Sequence, residues 1–278
     1  MSVDHYENFP VASILLPRHL RRPIEHIYHF ARSADDFADE GNVPEADRLA
    51  NLADYRHELD LIAARSPTSS TLFQALGSTI HQYDLPLQLF YDLLDAFKQD
   101  VTKTRYADFA ELHNYCKRSA NPIGRLLLHL FNETANQTLL MSDDICTALQ
   151  LINHWQDVAI DWQKNNSGRL YLPEADLAYY GLSISDIAII QATRTTTLQW
   201  REMMKFQVAR ARQMMIKGQP LARNMKGRFG IELRLIVAGG LAICDKIDDV
   251  DGNVFKHRPK LTKWDWLRLA PAALLNLS

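Results

Sequence analysis

The 278-residue sequence contains little glycine, few cysteines and no long uncharged apolar run. Only 11 residues are glycine, and segments that alternate apolar and polar side chains are nearly absent, which argues against a β-sheet protein. The three cysteines, Cys116, Cys146 and Cys244, lie far apart, so the sequence predicts neither a disulfide framework nor a zinc site. No apolar run approaches the roughly 18 residues that a membrane-spanning helix requires.

The charge balance is nearly neutral, with a formal net charge of -2, and gives no reason to expect nucleic acid as a partner. A secretory signal peptide is not expected, because His5, Glu7 and Pro10 interrupt the first residues. The sequence therefore predicts a cytoplasmic protein. Three apolar residues lie near the end of the sequence: Trp264, Trp266 and Leu267. They could contact the inner face of the membrane as part of a peripheral protein, and ordinary packing is the alternative.

The apolar residues recur at helical spacing along most of the chain, which predicts an all-α protein. The expected helices are 22–40, 45–64, 69–83, 86–98, 108–119, 121–139, 143–165, 185–217 and 228–248. Prolines are expected at the starts of helices, where they are tolerated: Pro23, Pro44, Pro86 and Pro122. Asp108 and Ser142 are predicted N-caps. Because the connections are mostly short, we expect one domain over residues 1–278, with a ligand cavity between its helices.

Two short acidic segments, residues 34–40 and 150–161, each place carboxylates four residues apart. The pairs are Asp35 with Asp39 and Asp157 with Asp161. Like charges at this spacing destabilise a helix by roughly 0.2–0.5 kcal/mol per pair, so their repetition suggests a use for them. Mg²⁺ takes one or two carboxylates and completes its shell with water and substrate phosphates. Facing clusters would therefore form a diphosphate site.

In the first segment, Asp35 and Asp39 are expected on the face that carries the apolar residues of the helix. Those apolar residues are Ile24, Ile27, Tyr28, Ala31 and Ala38. Carboxylates that continue an apolar stripe are costly unless they are paired or bind a metal. The alternative is a helix end in solvent, with Asp36, Asp39 and Glu40 hydrated.

The second segment predicts a helix with one apolar and one polar face. The apolar face carries Ala148, Ile152, Trp155 and Ala159, and the polar face carries Gln150, Asn153, Asp157 and Asp161. An ordinary amphipathic helix would turn the polar face to water. Two features favour a metal site as the competing interpretation. The polar stripe has no cation before Lys164, and Asn153, Asp157 and Asp161 follow one another at four-residue spacing, which stacks three oxygen ligands in one column.

Basic and aromatic residues near these segments could complete such a site. Arg32 and Arg169 offer guanidinium groups that match phosphate oxygens. Tyr28 and Tyr115 could face a carbocation with their rings, and the segment 115–124 could provide the wall along which an apolar chain lies. Surface charge, core packing and a plain helix–helix turn are the ordinary alternatives for these residues.

Two other features are not expected to carry function. Gly227–Gly230 is too short for a dinucleotide loop and follows no strand. A third acidic patch is better explained as a solvated helix end: Asp245, Asp248, Asp249 and Asp251.

Four blocks of the sequence, taken in their order along the chain, resemble the squalene and phytoene synthase family. The likeness extends over residues 5 to 250. They are Asn8–Ala12 with Leu15–Pro17, Tyr28–Asp39, Tyr115–Gly124, and Gln150–Asp161 with Gly168–Pro173. The resemblance implies an isoprenoid synthase fold and an enzyme that acts on prenyl diphosphates with Mg²⁺.

The resemblance also implies roles for individual residues. The metal ligands would be Asp35, Asp36, Asp39, Asn153, Asp157 and Asp161. The diphosphate contacts would be Arg32, Gln150 and Arg169. The substrate-lining residues would be Phe9, Tyr28, Tyr115 and Tyr171. Beside these implied roles, Tyr115 is our candidate for holding the water or the diphosphate, and Asn153 is the alternative group for the water.

Within the family, residues 7–13 and 153–157 resemble a bacterial branch that releases diphosphate from presqualene diphosphate. Its enzymes capture the rearranged cation with water, giving hydroxysqualene, so no NADPH is expected. Other branches carry serines near the positions of Tyr6 and Asn8 and an arginine at that of Gln156. This difference favours the second reaction step, with a separate presqualene diphosphate synthase upstream.

Other functions remain open at the level of sequence. A presqualene diphosphate synthase or phytoene synthase would condense two prenyl diphosphates, and a squalene synthase would need a nicotinamide. A non-catalytic helical scaffold would leave the carboxylates exposed and would not be stabilised by Mg²⁺ and diphosphate.

Overall fold

The structure is a computed structural model that describes residues 16–39, 41, 43–164 and 168–275. Within these ranges every regular element is helical, which confirms the all-α prediction. The first seven helices are α1 (Arg18–Asp39), α2 (Glu45–Ala63), α3 (Thr71–Tyr83), α4 (Leu87–Thr102), α5 (Phe109–Ser119), α6 (Asn121–Leu130) and α7 (Asn136–Gln163). The remaining helices are α8 (Glu174–Tyr179), α9 (Ile184–Thr193), α10 (Leu198–Gly218), α11 (Pro220–Asn224), α12 (Gly227–Asp249) and α13 (Lys263–Leu275).

The chain divides into two compact units, and the prediction of one domain remains untested. The first unit contains the described residues up to Lys103 together with Lys117–Asp143. In it, α1 packs against α2, α3, α4 and α6. Its centre is aromatic, because Phe30 is fully buried and lies edge-on to Phe73 and Phe90. Edge-to-face pairs of this kind add to the burial of apolar area.

The second unit contains Thr104–Cys116 and the chain from Asp144 onward. In it, α12 packs against α10, α11 and α13. The indole rings of Trp155 and Trp200 are fully buried, and Trp200 Nε1 donates a 2.9 Å hydrogen bond to the carbonyl of Gly252. Among the described residues, no helix is both long and apolar enough to cross a membrane.

Two of the predicted helices are each divided in the structure. The prediction for 121–139 is wrong at residues 131–135, where Asn132 adopts a left-handed conformation (φ 56°) before α7 begins at Asn136. The prediction for 185–217 is wrong at Arg194, which is also left-handed (φ 57°). The Thr197 hydroxyl then accepts a hydrogen bond from the Trp200 amide and caps α10.

The predicted helix starts are partly confirmed. Asp108 caps α5, since its carboxylate accepts a 2.9 Å hydrogen bond from the Glu111 amide. Ser142 is wrong as an N-cap, because it is buried within α7. Pro23 lies inside α1, so the prediction that a helix begins there is also wrong. No pattern in the sequence predicted α8, α11 or α13.

Candidate active site

The first aspartate segment lies in the last turns of α1, in the first unit. Ile24, Ile27 and Ala38 are buried as predicted. Asp35 is half-buried, as are Tyr28 and Ala31, so these three lie at the edge of the buried face. The side chains of Asp35 and Asp36 are 37% and 38% exposed, and that of Asp39 is outside the described part.

Two arginines organise this end of α1. Arg32 Nη2 lies 2.8 Å from Asp36 Oδ1, and its Nη1 lies 3.8 Å from Asp35 Oδ2. Arg48, buried on α2, donates to three backbone carbonyls at or just beyond the helix end, those of Phe37, Gly41 and Val43. The carbonyls at a helix C-terminus lack partners within the helix, so Arg48 fixes the turn that carries the carboxylates. No local sequence pattern indicated this role of Arg48.

The second aspartate segment lies on α7, in the second unit. Its apolar face is buried as predicted: Ala148, Ile152, Trp155 and Ala159. Its polar face is not a solvated one, because no residue from 141 to 159 is exposed and Asp161 is half-buried as well. The interpretation of α7 as an ordinary amphipathic helix is therefore wrong.

Asp157 has an ion-pair partner that was not among the predicted site residues. Arg258 donates to both of its carboxylate oxygens, through Nε to Oδ1 and through Nη2 to Oδ2 at 2.9 Å. The pKa of Arg258 is raised, mainly by this hydrogen-bonded pair and further by the charges of Asp157 and Asp161. The two residues are 101 positions apart, so no local pattern predicts the pair.

Gln156 attaches the same distant segment to α7. Its side chain is buried, and Nε2 donates a 2.6 Å hydrogen bond to the carbonyl of Pro259. Gln156 stands where other branches of the family are expected to carry arginine. In this chain its side chain instead holds the loop that supplies Arg258.

Four aromatic rings cluster in the second unit: Tyr106, Tyr115, His154 and Tyr171. His154 stacks on Tyr171 with ring centroids 3.6 Å apart and planes at 12°. Tyr115 lies 5.6 Å from Tyr171 and 6.0 Å from His154, and all four rings are buried. His154 Nε2 is 3.4 Å from Gln150 Nε2. His154 and Tyr106 were not among the predicted site residues.

The segment that carries Arg169 and Tyr171 pairs with residues 104–107. The amide of Leu170 donates to the carbonyl of Thr104 at 3.0 Å, and that of Glu174 donates to Tyr106 at 2.9 Å. Arg105 also donates to the carbonyl of Gly168. These bonds hold Tyr171 in the aromatic cluster and Arg169 in a buried position, 4% exposed.

The structure places the predicted site residues in two groups, one in each unit. The first unit carries Tyr28, Arg32, Asp35, Asp36 and the backbone of Asp39; the second carries Tyr115, Gln150, Asn153, Asp157, Asp161, Arg169 and Tyr171. Phe9 lies outside the described residues. That both groups meet at one diphosphate stays a prediction.

The donor chemistry of these groups fits a magnesium ion. Within the described ranges, no three His, Cys, Asp or Glu side chains are grouped to hold a metal. Mg²⁺ does not require such a cage, since one or two carboxylates, water and substrate phosphates suffice. Half-buried carboxylate and amide oxygens on α7 supply ligands of that kind.

Comparisons with known proteins agree on one family. The model of the squalene/phytoene synthase family matches residues 3–265. Hydroxysqualene synthase from Zymomonas mobilis is 37% identical over 206 residues, covering 72% of this chain and 68% of the relative. That from Rhodopseudomonas palustris is 36% identical over 234 residues, covering 84% and 76%. The crystal structure of squalene synthase HpnC from Alicyclobacillus acidocaldarius superposes with a TM-score of 0.79 at 36% identity, covering 89% of this chain and 90% of that one.

Proposed function

Because the chain belongs to the squalene/phytoene synthase family, whose members are isoprenoid synthases, we propose that it converts presqualene diphosphate into hydroxysqualene. The reaction breaks a carbon–oxygen bond, releases diphosphate and adds water to the rearranged cation. The observation that carries the proposal is the similarity to hydroxysqualene synthases over most of both chains. A separate enzyme would supply presqualene diphosphate, and the reaction would take place in the cytoplasm.

The acidic residues of α1 and α7 are proposed to hold Mg²⁺. They are Asp35, Asp36, Asp39, Asn153, Asp157 and Asp161. When bound, the ion neutralises charge on the leaving diphosphate and so favours its departure. The half-buried setting of the α7 carboxylates supports this role, because hydration alone does not account for their placement.

Arginine and glutamine side chains are proposed to bind the diphosphate: Arg32, Gln150 and Arg169. Arg169 is buried, and a guanidinium taken out of water is expected to bind an anion strongly. Arg32 is 23% exposed and already lies beside two carboxylates, so its charge is oriented before substrate arrives.

Aromatic side chains are proposed to line the reacting carbon atoms: Phe9, Tyr28, Tyr115 and Tyr171. The stacked cluster around Tyr171 supports this role, since aromatic faces stabilise cations and exclude bulk water. The hydroxyl of Tyr115 is proposed to hold the single water molecule that captures the cation. A nicotinamide is not required for this outcome.

To test this proposal, purified protein is incubated with presqualene diphosphate and Mg²⁺ in the absence of NADPH, and the products are identified by mass spectrometry. Hydroxysqualene should form. Turnover of farnesyl or geranylgeranyl diphosphate alone would instead indicate a condensing enzyme, and a requirement for NADPH would indicate a squalene synthase. Tyr115→Phe should lower the alcohol fraction among the products. Tyr106→Phe, which removes a hydroxyl from a fully buried neighbour in the same cluster, serves as its matched control.

A further inference from the structure

One face of α13 exposes large apolar side chains that the proposed chemistry does not use. The side chains of Trp264 and Leu267 are 76% and 64% exposed. Residues three apart lie on the same side of a helix, so the two form one apolar patch. The second tryptophan of this helix, Trp266, lies against α12 at Gly239. Packing on α12 therefore accounts for Trp266 and leaves Trp264 and Leu267 in solvent.

Positive charge is concentrated along the chain on both sides of the apolar patch. Residues 254–271 contain five lysines and arginines and one acidic residue, in a chain of net charge -2. The acidic residue, Asp265, lies 3.0 Å from Lys246 and accepts hydrogen bonds from Thr262. Four of the cations are exposed and have no ion-pair partner among the described residues: Lys256, Lys260, Lys263 and Arg268.

Three of the four acidic residues at the end of α12 already have arginine partners. Asp245 and Asp248 are both bound by Arg212 of α10, at 2.7 and 2.8 Å. Asp251 lies 3.7 Å from Arg201. These three carboxylates therefore lie beside arginines of α10. This also confirms the interpretation of this patch as a solvated helix end, since Asp245 and Asp251 are 65% and 72% exposed.

We infer that this face of α13 binds an anionic lipid surface. Tryptophan rings favour the level of lipid headgroups, where one side is apolar and the other wet. Lysine and arginine beside such a ring are attracted to acidic headgroups. Asp265 and Trp266 hold α13 on α12, so the patch is presented by a fixed helix. The inference rests on the proposed function in one respect: a C30 substrate would be delivered from the bilayer.

A second copy of the chain is a less suitable occupant. A two-fold interface brings the same patch of each subunit together. It would therefore bring Lys263 and Arg268, which flank the patch on α13, near the same cations of the other copy. An anionic surface buries Trp264 and Leu267 without this repulsion.

The test is sedimentation of the purified full chain with vesicles of phosphatidylcholine, with and without phosphatidylglycerol. Binding should require phosphatidylglycerol and weaken with salt. The double variant Trp264→Ser/Leu267→Ser should lose binding. The charge variant Lys260→Gln/Lys263→Gln should lower the partition coefficient by roughly thirtyfold. The matched control is Leu198→Ser/Ile216→Ser on α10, which removes two apolar residues that are 67% and 51% exposed and should bind as wild type does.

Several results would overturn the inference. Equal binding by wild type and by Trp264→Ser/Leu267→Ser would place the lipid contact elsewhere. A dimer in light scattering that this variant dissociates, without vesicle binding, would show that a second copy covers the patch. Vesicle binding does not depend on the reaction, so an inactive wild type that still binds would contradict only the proposed function. If both hold, the variant should lose turnover of vesicle-embedded substrate and keep turnover of detergent-dispersed substrate.

Discussion

At the scale of single residues, the acidic stripe on α7 is neutralised in part by a distant cation. The sequence shows Asp157 and Asp161 as like charges one turn apart, which would destabilise the helix. The structure adds the two-pronged contact of Arg258 with Asp157. The acidic residues were predictable from local spacing. Their partner was not, because it depends on how residues 256–260 return to α7.

We expect Asp157→Asn to lower turnover by roughly 100-fold or more, because a metal ligand contributes several kcal/mol of charge stabilisation. The spacing alone predicts unchanged or slightly raised stability. The bridge to Arg258 reverses that sign, and since its partners are 24% and 42% exposed, the loss should be about 1 kcal/mol at most. Activity and urea unfolding check both effects.

The control for this variant is a double-mutant cycle with Arg258→Gln. If the bridge carries the stability effect, Asp157→Asn should have almost none in the Arg258→Gln background. Full activity of Asp157→Asn would contradict a metal role, and extensive unfolding would indicate a structural one.

A second residue-scale prediction concerns His26 on α1, whose Nδ1 lies 2.7 Å from the hydroxyl of the buried Thr79 on α3. Burial is the main cause that lowers the pKa of His26 below 6.5. The unfolded chain therefore binds this proton more readily, so the contribution to stability is present above pH 6.5 and declines as the pH falls below it.

We expect His26→Gln to reduce the fall in melting temperature between about pH 7.5 and 5.5. His81→Gln removes an exposed histidine of α3 and is the control. An unchanged pH dependence in His26→Gln would contradict this assignment.

At the scale of elements, periodicity predicted the long helices and failed where the chain turns without glycine or proline. Asn132 and Arg194 take left-handed conformations, which only tertiary packing makes favourable for such residues. The short helices α8 and α11 contain six and five residues, too few for a periodic signal. These failures affected the predicted site residues less, because those residues lie within long helices or in a segment with a family resemblance.

The start of α12 supplies an element-scale prediction. The segment Gly227–Gly230, which was not expected to bind a dinucleotide, forms the first turn of this helix. A Cβ at Gly230 would collide with the carbonyl group of Met225, whose carbon would be 2.8 Å away. Gly230→Ala should therefore destabilise the protein by roughly 1–3 kcal/mol.

Gly239→Ala on the same helix is the matched control for Gly230→Ala. Its new methyl group would meet only side chains, those of Trp266 and Leu261, at 3.2 and 3.3 Å, and these can shift. Chemical denaturation should show the smaller loss for Gly239→Ala. Equal losses in the two variants would show that the backbone near Met225 relaxes.

At the scale of the whole molecule, helical periodicity predicted the all-α fold and the resemblance predicted the family. The spacing of Asp35 with Asp39 and of Asp157 with Asp161 predicted oxygen-rich helix faces, but spacing within a helix cannot determine which other helix it faces. The meeting of the two groups at one diphosphate is therefore the prediction that most needs a ligand experiment.

We expect Mg²⁺ and inorganic diphosphate together to raise the melting temperature more than either alone. A ligand that binds only the folded state stabilises it by about 2.7 kcal/mol at one hundred times its dissociation constant. Asp157→Asn/Asp161→Asn should abolish the shift. Asp245→Asn/Asp248→Asn, in the solvated patch, should retain it. The absence of any shift in wild type would favour the non-catalytic scaffold.

The measurement that tests the central claim most directly is the reaction of presqualene diphosphate with Mg²⁺ in oxygen-18 water. Capture of the cation by water predicts hydroxysqualene with one labelled oxygen, in a yield that added NADPH hardly changes. Squalene that forms only with NADPH, with no labelled alcohol, would contradict the proposed reaction and leave the fold and family unaffected.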